Sequence, residues 1–256
     1  MTARWSVVLL VVAAYCTATG QEKKSPWRGD IERYRSNYVA GGFSFDAQIK
    51  FQLSIKYRIL TNYPLYFAYS QRSFWDLYDW ENSTPFRESN YIPELFYRIS
   101  GGPGTFLEYV QAGVEHESNG LSGPSSRSWN KIIVASRVTV IGDLLYVEPR
   151  FWIPFAIATE NKDIRTYIGF GQLTTVLYIL PDPQNNRLEV TVRPGFDKEF
   201  KAVSFMVNLM VRPLTSLGFD MFGVNPFLLL QVWHGYGESL LEYNVRSTRF
   251  RVGFTF

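Results

Sequence analysis

Residues 43–58 read FSFDAQIKFQLSIKYR, and apolar and polar side chains alternate through all sixteen positions. Successive side chains of a β-strand point to opposite faces, so this period of two predicts a strand with one apolar and one polar face. Strands of globular proteins are usually ~3–10 residues long and rarely keep the pattern for so many positions. A strand that crosses a membrane within a barrel does keep it, because lipid lies on one face and a polar lumen on the other.

Similar runs recur along the chain and together predict an all-β protein. A strand near 31–40 is predicted to join the 43–58 run through a hairpin at Gly41 and Gly42. The other runs lie near 62–75, 91–100, 104–118, 129–141, 143–156, 163–179, 187–197, 200–212, 225–236 and 242–256. The total is twelve antiparallel strands, an even number typical of bacterial transmembrane barrels. The alternative, a soluble β-sandwich, does not need so many long two-faced strands.

The C-terminal residues favour the membrane interpretation. Phe250, Val252, Phe254 and Phe256 alternate with polar or small residues up to the last position. Rings on the outward face of a terminal strand suit the aromatic girdle at a membrane interface.

The N-terminus is predicted to be a secretory signal over residues 1–20. Arg4 supplies the positive charge, residues 7–14 form a short apolar core, and Ala18 and Gly20 are the small residues before the cleavage point. The core is too short to span a bilayer as a helix.

The rest of the chain divides into two parts. Residues 21–30 are a polar lead-in, and residues 31–256 are the barrel domain. A lipoprotein anchored through Cys16 is the alternative for the leader, but Tyr15 is bulky where a small residue is expected.

Composition excludes several classes of function. The formal net charge is +3 without a basic cluster, which gives no basis for nucleic-acid binding. Two histidines and one cysteine are too few for a usual zinc site. The sequence contains no glycine-rich phosphate loop.

Polar residues interrupt the apolar face of two neighbouring strands. Residues 116–120 read HESNG, and in the phase of the preceding run His116 and Ser118 fall on the apolar face. Asn130 shares the phase of the apolar positions in the next run, whereas Glu115 and Glu117 fall on the polar face. Polar groups that face lipid are costly, which indicates a function for His116, Ser118 and Asn130.

The three residue types suit nucleophilic catalysis. A serine hydroxyl is a weak nucleophile until a base such as His116 takes its proton. Asn130 can accept a hydrogen bond from the other ring nitrogen and orient the ring without burying a charge. A nucleophile on the outer wall of a barrel meets lipid, so the available electrophile is an ester near the headgroup boundary.

With these motifs the sequence resembles the outer membrane phospholipase A family over about residues 31–256. The resemblance includes the active-site stretches 116–120 and 125–130 and the segments 50–54, 69–73, 85–91 and 235–240. It implies a twelve-stranded barrel that crosses the outer membrane of a Gram-negative bacterium many times. It also implies a calcium-dependent homodimer that hydrolyses the sn-1 and sn-2 acyl esters of phospholipids.

The resemblance also implies roles for individual residues. Ser118 is the nucleophile, His116 the base and Asn130 the orienting residue. The calcium ligands are the side chain of Ser126, the carbonyl of Leu121 and, from the partner subunit, the carbonyl of Ser83. The family usually has an arginine at position 121, but a backbone carbonyl is offered there whatever the side chain is.

Gln71 is the predicted dimer-interface residue. It shares the phase of Leu65, Phe67 and Tyr69, so it is expected to face lipid, where an amide needs a partner such as another barrel. The resemblance places the matching glutamine in the dimer interface.

Two other functions remain open at this point. A lipid A deacylase has a His-x-Ser pair, but its barrel is smaller and its third residue is acidic. A non-enzymatic channel or structural barrel is the second alternative. The lumen-facing charges are expected to form a structural network, and His234 is given no role; these charges include Lys50, Lys56, Arg137 and Arg251.

Overall fold

The computed structural model describes most of the chain from residue 31 onward and is almost entirely β-strand. The described residues are 31–43, 48–60, 62–76, 86–102, 104–179, 186–196, 201–212 and 226–256, so the predicted signal (1–20) and lead-in (21–30) lie outside them. The strands are β1 (Ile31–Arg33), β2 (Tyr38–Gly42), β3 (Gln48–Leu60), β4 (Tyr63–Asp76), β5 (Phe86–Ser100), β6 (Leu107–Ser118), β7 (Ser128–Ile141), β8 (Leu145–Phe155), β9 (Gly171–Tyr178), β10 (Arg187–Pro194), β11 (Val203–Val211), β12 (Phe227–Gly235) and β13 (Ser247–Thr255). A short helix, α1 (Ile164–Ile168), precedes β9.

The sheet closes on itself. Each strand from β3 to β13 pairs antiparallel with its sequence neighbour, and β13 also pairs with β2, which pairs with β3. β1 and β2 both pair with β3, so they are two parts of one barrel strand, interrupted at residues 34–37. The structure is therefore a closed twelve-strand antiparallel barrel, as predicted. The last residue completes the closure, because the Phe256 N–H donates to the Asn37 carbonyl at 3.0 Å.

The barrel is polar inside and apolar outside. In β6 the buried positions are Gln111, Glu115 and Glu117, whereas Ala112 and Val114 are exposed. The other strands show the same arrangement, with large apolar side chains exposed on the outer face. These side chains include Phe67, Leu95, Tyr97, Ile132, Val134, Phe151, Ile153, Leu173, Leu230 and Phe250. An exposed apolar surface around a buried polar interior is typical of a transmembrane barrel.

Several predicted boundaries are wrong. The strand predicted near 91–100 begins at Phe86, and the strand predicted near 242–256 begins at Ser247. Gly41 and Gly42 belong to β2, where Gly41 pairs with Ile49, so the connection to β3 follows them at 43–47. The run at 163–179 is a strand only from Gly171, because its first part forms α1. None of the helices among the described residues is long and apolar enough to cross a membrane.

The predicted charge network fills the lumen. Lys50 and Arg251, on β3 and β13, both bind the Glu238 carboxylate, at 3.1 and 2.6 Å. Burial alone would raise the pKa of Glu238, but these two cations lower it below its ordinary value. The other members predicted from the sequence are also paired, Lys56 with Glu32 at 2.7 Å and Arg137 with Glu148 at 2.9 Å.

One end of the barrel is plugged by an apolar cluster. Side chains from the barrel wall, α1 and the loop at 236–246 pack together there; they are Trp129, Ile133, Trp152, Ile164, Ile168, Leu240 and Tyr243. This end is opposite the start of β2 and the end of β13, because β6, β8, β10 and β12 finish there. The loops therefore close the lumen at the end where residues 116–130 lie.

Glu238→Gln is expected to destabilise the barrel by about 3 kcal/mol or more, because it leaves two buried cations without their carboxylate. Urea unfolding in detergent would measure this. The matched control is Glu32→Gln, whose side chain is 50% exposed in its pair with Lys56. The control substitution should lower the free energy of unfolding by less than ~1 kcal/mol. Equal losses in the two variants would contradict the structural role of Glu238.

The wild type and the Glu238→Gln variant also test how the stability of the barrel depends on pH. Because the pKa of Glu238 is lowered in the folded state, its contribution is complete above the unfolded value of about 4.3. That contribution is lost as the pH falls through the folded pKa. The wild type is therefore expected to lose its stability advantage over Glu238→Gln below about pH 4.

Candidate active site

His116, Ser118 and Asn130 lie together on the outer wall, as the strand phase predicts. His116 and Ser118 are near the end of β6, and Asn130 is near the start of β7. His116 pairs directly with Asn130 across the two strands, and Ser118 pairs with Ser128 two positions along. All three predicted residues are half-buried on the face that carries the exposed apolar side chains.

A hydrogen bond joins the histidine to the asparagine. His116 Nδ1 lies 2.9 Å from Asn130 Oδ1, and Asn130 Nδ2 donates to the Ala156 carbonyl at 3.4 Å. Because Oδ1 can only accept, Nδ1 carries the proton, which leaves Nε2 free to act as a base. Among the described residues Ser118 makes no hydrogen bond to His116, although positions i and i+2 of a strand are neighbours on one face.

The inner face of the same strand is held by ion pairs. Glu117, between the histidine and the serine, accepts from Lys131 Nζ at 2.8 Å and from Trp129 Nε1 at 3.0 Å. Glu115 binds Arg150 at 2.6 Å and also pairs with Lys131. The stretch 115–118 is thus fixed from the lumen, while His116 and Ser118 remain on the outside.

A buried asparagine organises the loop that follows. Asn119 is 3% exposed, and its side chain donates to the Ser125 carbonyl at 2.8 Å. Its Oδ1 accepts from the backbone N–H of Leu121 at 3.3 Å and of Arg127 at 3.0 Å. These three bonds shape the loop at 119–127 around one side chain.

Gly120 also has a specific reason to be glycine. Its φ is +66°, and a Cβ there would meet the Tyr91 ring at 2.8 Å. Tyr91 pairs with Ser118 across β5 and β6, so its ring lies against the loop beside the serine. A larger residue at 120 would displace the ring or the loop.

Two of the three predicted calcium ligands, Ser126 and Leu121, lie among the described residues, and both offer an oxygen atom. Arg127 Nη1 donates to the Ser126 carbonyl at 2.8 Å, and the Ser126 hydroxyl is the donor group predicted for the ion. Leu121 is exposed, and among the described residues its carbonyl accepts no hydrogen bond. Calcium prefers such oxygens. Ser83 lies outside the described residues, which contain no group of three or more His, Cys, Asp or Glu side chains able to hold a metal.

Gln71 lies in the same row of the outer wall as the serine. It pairs with Tyr91, which pairs with Ser118. Its amide already has partners in its own barrel: Tyr69 donates to Oε1 at 3.0 Å, and Nε2 donates to Ser73 at 3.1 Å. One N–H and one lone pair remain for a partner outside the barrel.

Sequence reasoning missed some residues around the site. Asn119 and Gly120 belong to the quoted motif, and a polar–glycine pair after a strand is a turn signal that could have identified them. No sequence signal points to Ala156. His234, which received no role, lies on the distant outer wall and contacts Thr248 and Arg246.

The comparisons agree with this architecture. The family model described as Phospholipase A1 matches residues 9–256. Phospholipase A1 of Escherichia coli K12 is 32% identical over 217 residues, which cover 80% of this chain and 68% of that protein. Phospholipase A1 of Proteus vulgaris is 32% identical over 259 residues, with coverages of 91% and 83%.

Solved structures give the same result. Outer membrane phospholipase A from Escherichia coli superposes with a TM-score of 0.74 at 29% identity, covering 88% of this chain and 94% of that one. The Salmonella typhi outer membrane phospholipase, described as a dimer with bound calcium, has a TM-score of 0.74 at 28% identity, with coverages of 92% and 94%.

The fold and these relatives place the chain in one class of proteins, the β-barrel proteins of the Gram-negative outer membrane. Within that class the chain belongs to the phospholipase A1 family, that is, to outer membrane phospholipase A.

Asn119→Ala is expected to loosen the loop at 119–127, because it removes three hydrogen bonds and leaves two backbone N–H groups without their acceptor. Hydrogen–deuterium exchange of peptides from this loop should accelerate by about tenfold or more, as expected for a loss near 1.4 kcal/mol. Ser122→Ala is the matched control, because Ser122 is exposed in the same loop and its side chain makes no capping hydrogen bond. Unchanged exchange in the alanine variant would show that Asn119 does not organise the loop.

Proposed function

We propose that this protein is a calcium-dependent phospholipase that uses a Ser118–His116–Asn130 triad to hydrolyse acyl esters of membrane phospholipids. The observation that carries the proposal is the 2.9 Å contact between His116 Nδ1 and Asn130 Oδ1, on the apolar outer wall beside Ser118. Polar groups on such a wall are costly without a function, and these three are the types that activate a serine.

The proposed acylation follows from the geometry of the pair. Asn130 holds the proton on Nδ1, so His116 Nε2 can take the hydroxyl proton as Ser118 Oγ attacks the acyl carbonyl carbon. The backbone N–H of Ser118 is proposed to stabilise the negative charge on the carbonyl oxygen. His116 then returns the proton to the leaving glycerol oxygen, and the acyl group stays on Ser118.

Deacylation repeats these steps with water. His116 takes a proton from the water molecule that attacks the acyl ester, and the fatty acid leaves as Ser118 recovers its proton. The triad lies on the outer wall, which faces membrane phospholipid, and we propose that it hydrolyses both the sn-1 and the sn-2 ester, that is, with activity of both the A1 and the A2 type.

Calcium is the proposed cofactor. The Ser126 hydroxyl, the Leu121 carbonyl and the carbonyl of Ser83 of the partner subunit would hold it, beside the loop that Asn119 shapes. When bound, calcium adds positive charge near the developing oxyanion. The S. typhi relative described as a dimer with bound calcium supports this assignment.

A homodimer is the proposed active form. Gln71, Tyr91 and Ser118 form one row on the outer wall, so a second barrel seated at Gln71 would border the serine. Monomers would be idle, and dimers would form when phospholipid reaches the outer leaflet. Full activity in a monomer locked by crosslinking would contradict this regulation.

Ser118→Ala is expected to lower fatty-acid release from phospholipid–detergent micelles by at least ~10³-fold, because the nucleophile is lost. Ser136→Ala is the matched control, an outward serine farther along β7. A chelator should abolish wild-type release, and added calcium should restore it. Release that survives the Ser118 change would contradict the serine mechanism, and release from lipopolysaccharide alone would favour a lipid A deacylase.

Gln71→Ala is expected to reduce the dimer fraction in calcium-containing detergent, because an amide hydrogen bond across apolar barrels is lost. Sedimentation at several protein concentrations would measure it. Activity should fall at low concentration and recover at high concentration. Thr175→Ala, on the outer wall of β9, is the control. Unchanged association in the Gln71 variant would remove Gln71 from the interface.

A further inference from the structure

We propose that the segment 156–161 is a positioning element that sets the orientation of the Asn130 amide, an inference that rests on the proposed triad. The Ala156 carbonyl makes the contact with the amide, and Asn161 anchors the segment to β7. Both residues are positioning residues, because each acts through the strand or the amide of Asn130 and not on the reacting atoms.

The amide of Asn130 has one productive orientation. With its oxygen toward His116 it keeps the proton on Nδ1 and leaves Nε2 as the base. Turned by 180°, it would present its NH₂ group to the ring. Nδ1 would then have to accept, the proton would move to Nε2, and the ring could not deprotonate Ser118.

A carbonyl selects between these two orientations. Asn130 Nδ2 donates to the Ala156 carbonyl at 3.4 Å, while Oδ1 contacts His116 at 2.9 Å. A carbonyl oxygen only accepts, so it favours the amide with its nitrogen toward Ala156. The turned amide would bring two oxygens together at this point.

The backbone at Ala156 is unusual. Its φ is +44°, and among the described residues it is the single non-glycine residue in the left-handed region. It directly follows Phe155, the residue of β8 that pairs with Asn130. Such a conformation is costly for alanine and persists only where the surroundings hold it.

Asn161 provides that hold. It is completely buried, and its amide bonds both backbone groups of Ser128: Oδ1 accepts from the N–H and Nδ2 donates to the carbonyl, each at 3.2 Å. The Ala158 N–H donates to the same carbonyl at 3.0 Å. Ser128 is two residues before Asn130, so the segment is fixed to the strand whose amide it orients.

The decisive test is a comparison of Asn161→Ala in two backgrounds. In the chain with Asn130, freeing the segment is expected to lower kcat by about tenfold or more, since the loss of a fixed geometry at a catalytic group has effects of that order. In the Asn130→Asp background the same change should lower kcat by less than about threefold, because a carboxylate has no N–H to donate to the Ala156 carbonyl and its two equivalent oxygens leave no orientation for the segment to select.

A pair of variants at Ala156 tests the contact itself. Glycine adopts φ near +44° easily, so Ala156→Gly should keep near wild-type activity. Proline is restricted to φ near about −65°, so Ala156→Pro should move the carbonyl and lower kcat about tenfold or more in the chain with Asn130. In the Asn130→Asp background the proline should have little effect. Heat-modifiable gel migration would confirm that each variant is a folded barrel.

The outcomes separate this inference from the function on which it rests. Equal losses in the two backgrounds would show that the segment is merely structural and would overturn the inference. If Ser118→Ala in the same assay keeps its activity, the triad itself is wrong. If Ser118→Ala is inactive while the losses remain equal, only the positioning role fails.

Discussion

The rest of this structure depends on one constraint, the need of every backbone N–H and C=O to find a partner where water is absent. A sheet meets it only by closing, and here β13 completes the ladder by pairing with β2. Closure fixes which face is inside. Because the outside is apolar, the polar side chains are forced into a lumen where each charge needs a counter-charge.

Ion pairs in the lumen therefore hold the strand that carries the site. The two carboxylates that flank His116 in sequence, Glu115 and Glu117, point inward, where Lys131, Arg150 and Trp129 bind them. Buried ion pairs add little net stability, but they hold the backbone of β6 in one register. One short stretch thus presents an anchored inner face and an outer face that carries the proposed catalytic residues, a division that follows directly from the period of the strand.

The outer face accounts for an amide in the proposed triad. A carboxylate there would carry a large desolvation cost, whereas Asn130 orients the imidazole without a charge. An amide has two unlike ends, however, so it needs an element that sets its direction. The carbonyl of Ala156 lies where that element is needed. The Gln71 amide, in the same row of the outer wall as Ser118, is likewise satisfied by neutral hydrogen bonds.

The sequence by itself determined most of the strands and their faces, because a period of two assigns each residue to lipid or lumen before any contact is known. It therefore predicted that His116, Ser118 and Asn130 share a face. Only the tertiary structure decided the partners that depend on closure, such as the binding of Glu238 by Lys50 and Arg251 from different strands. The same holds for the Asn161 anchor and for α1, which forms where the alternating pattern predicted a strand. Pairing across a closed barrel joins residues far apart in sequence, and no local pattern encodes which of them meet.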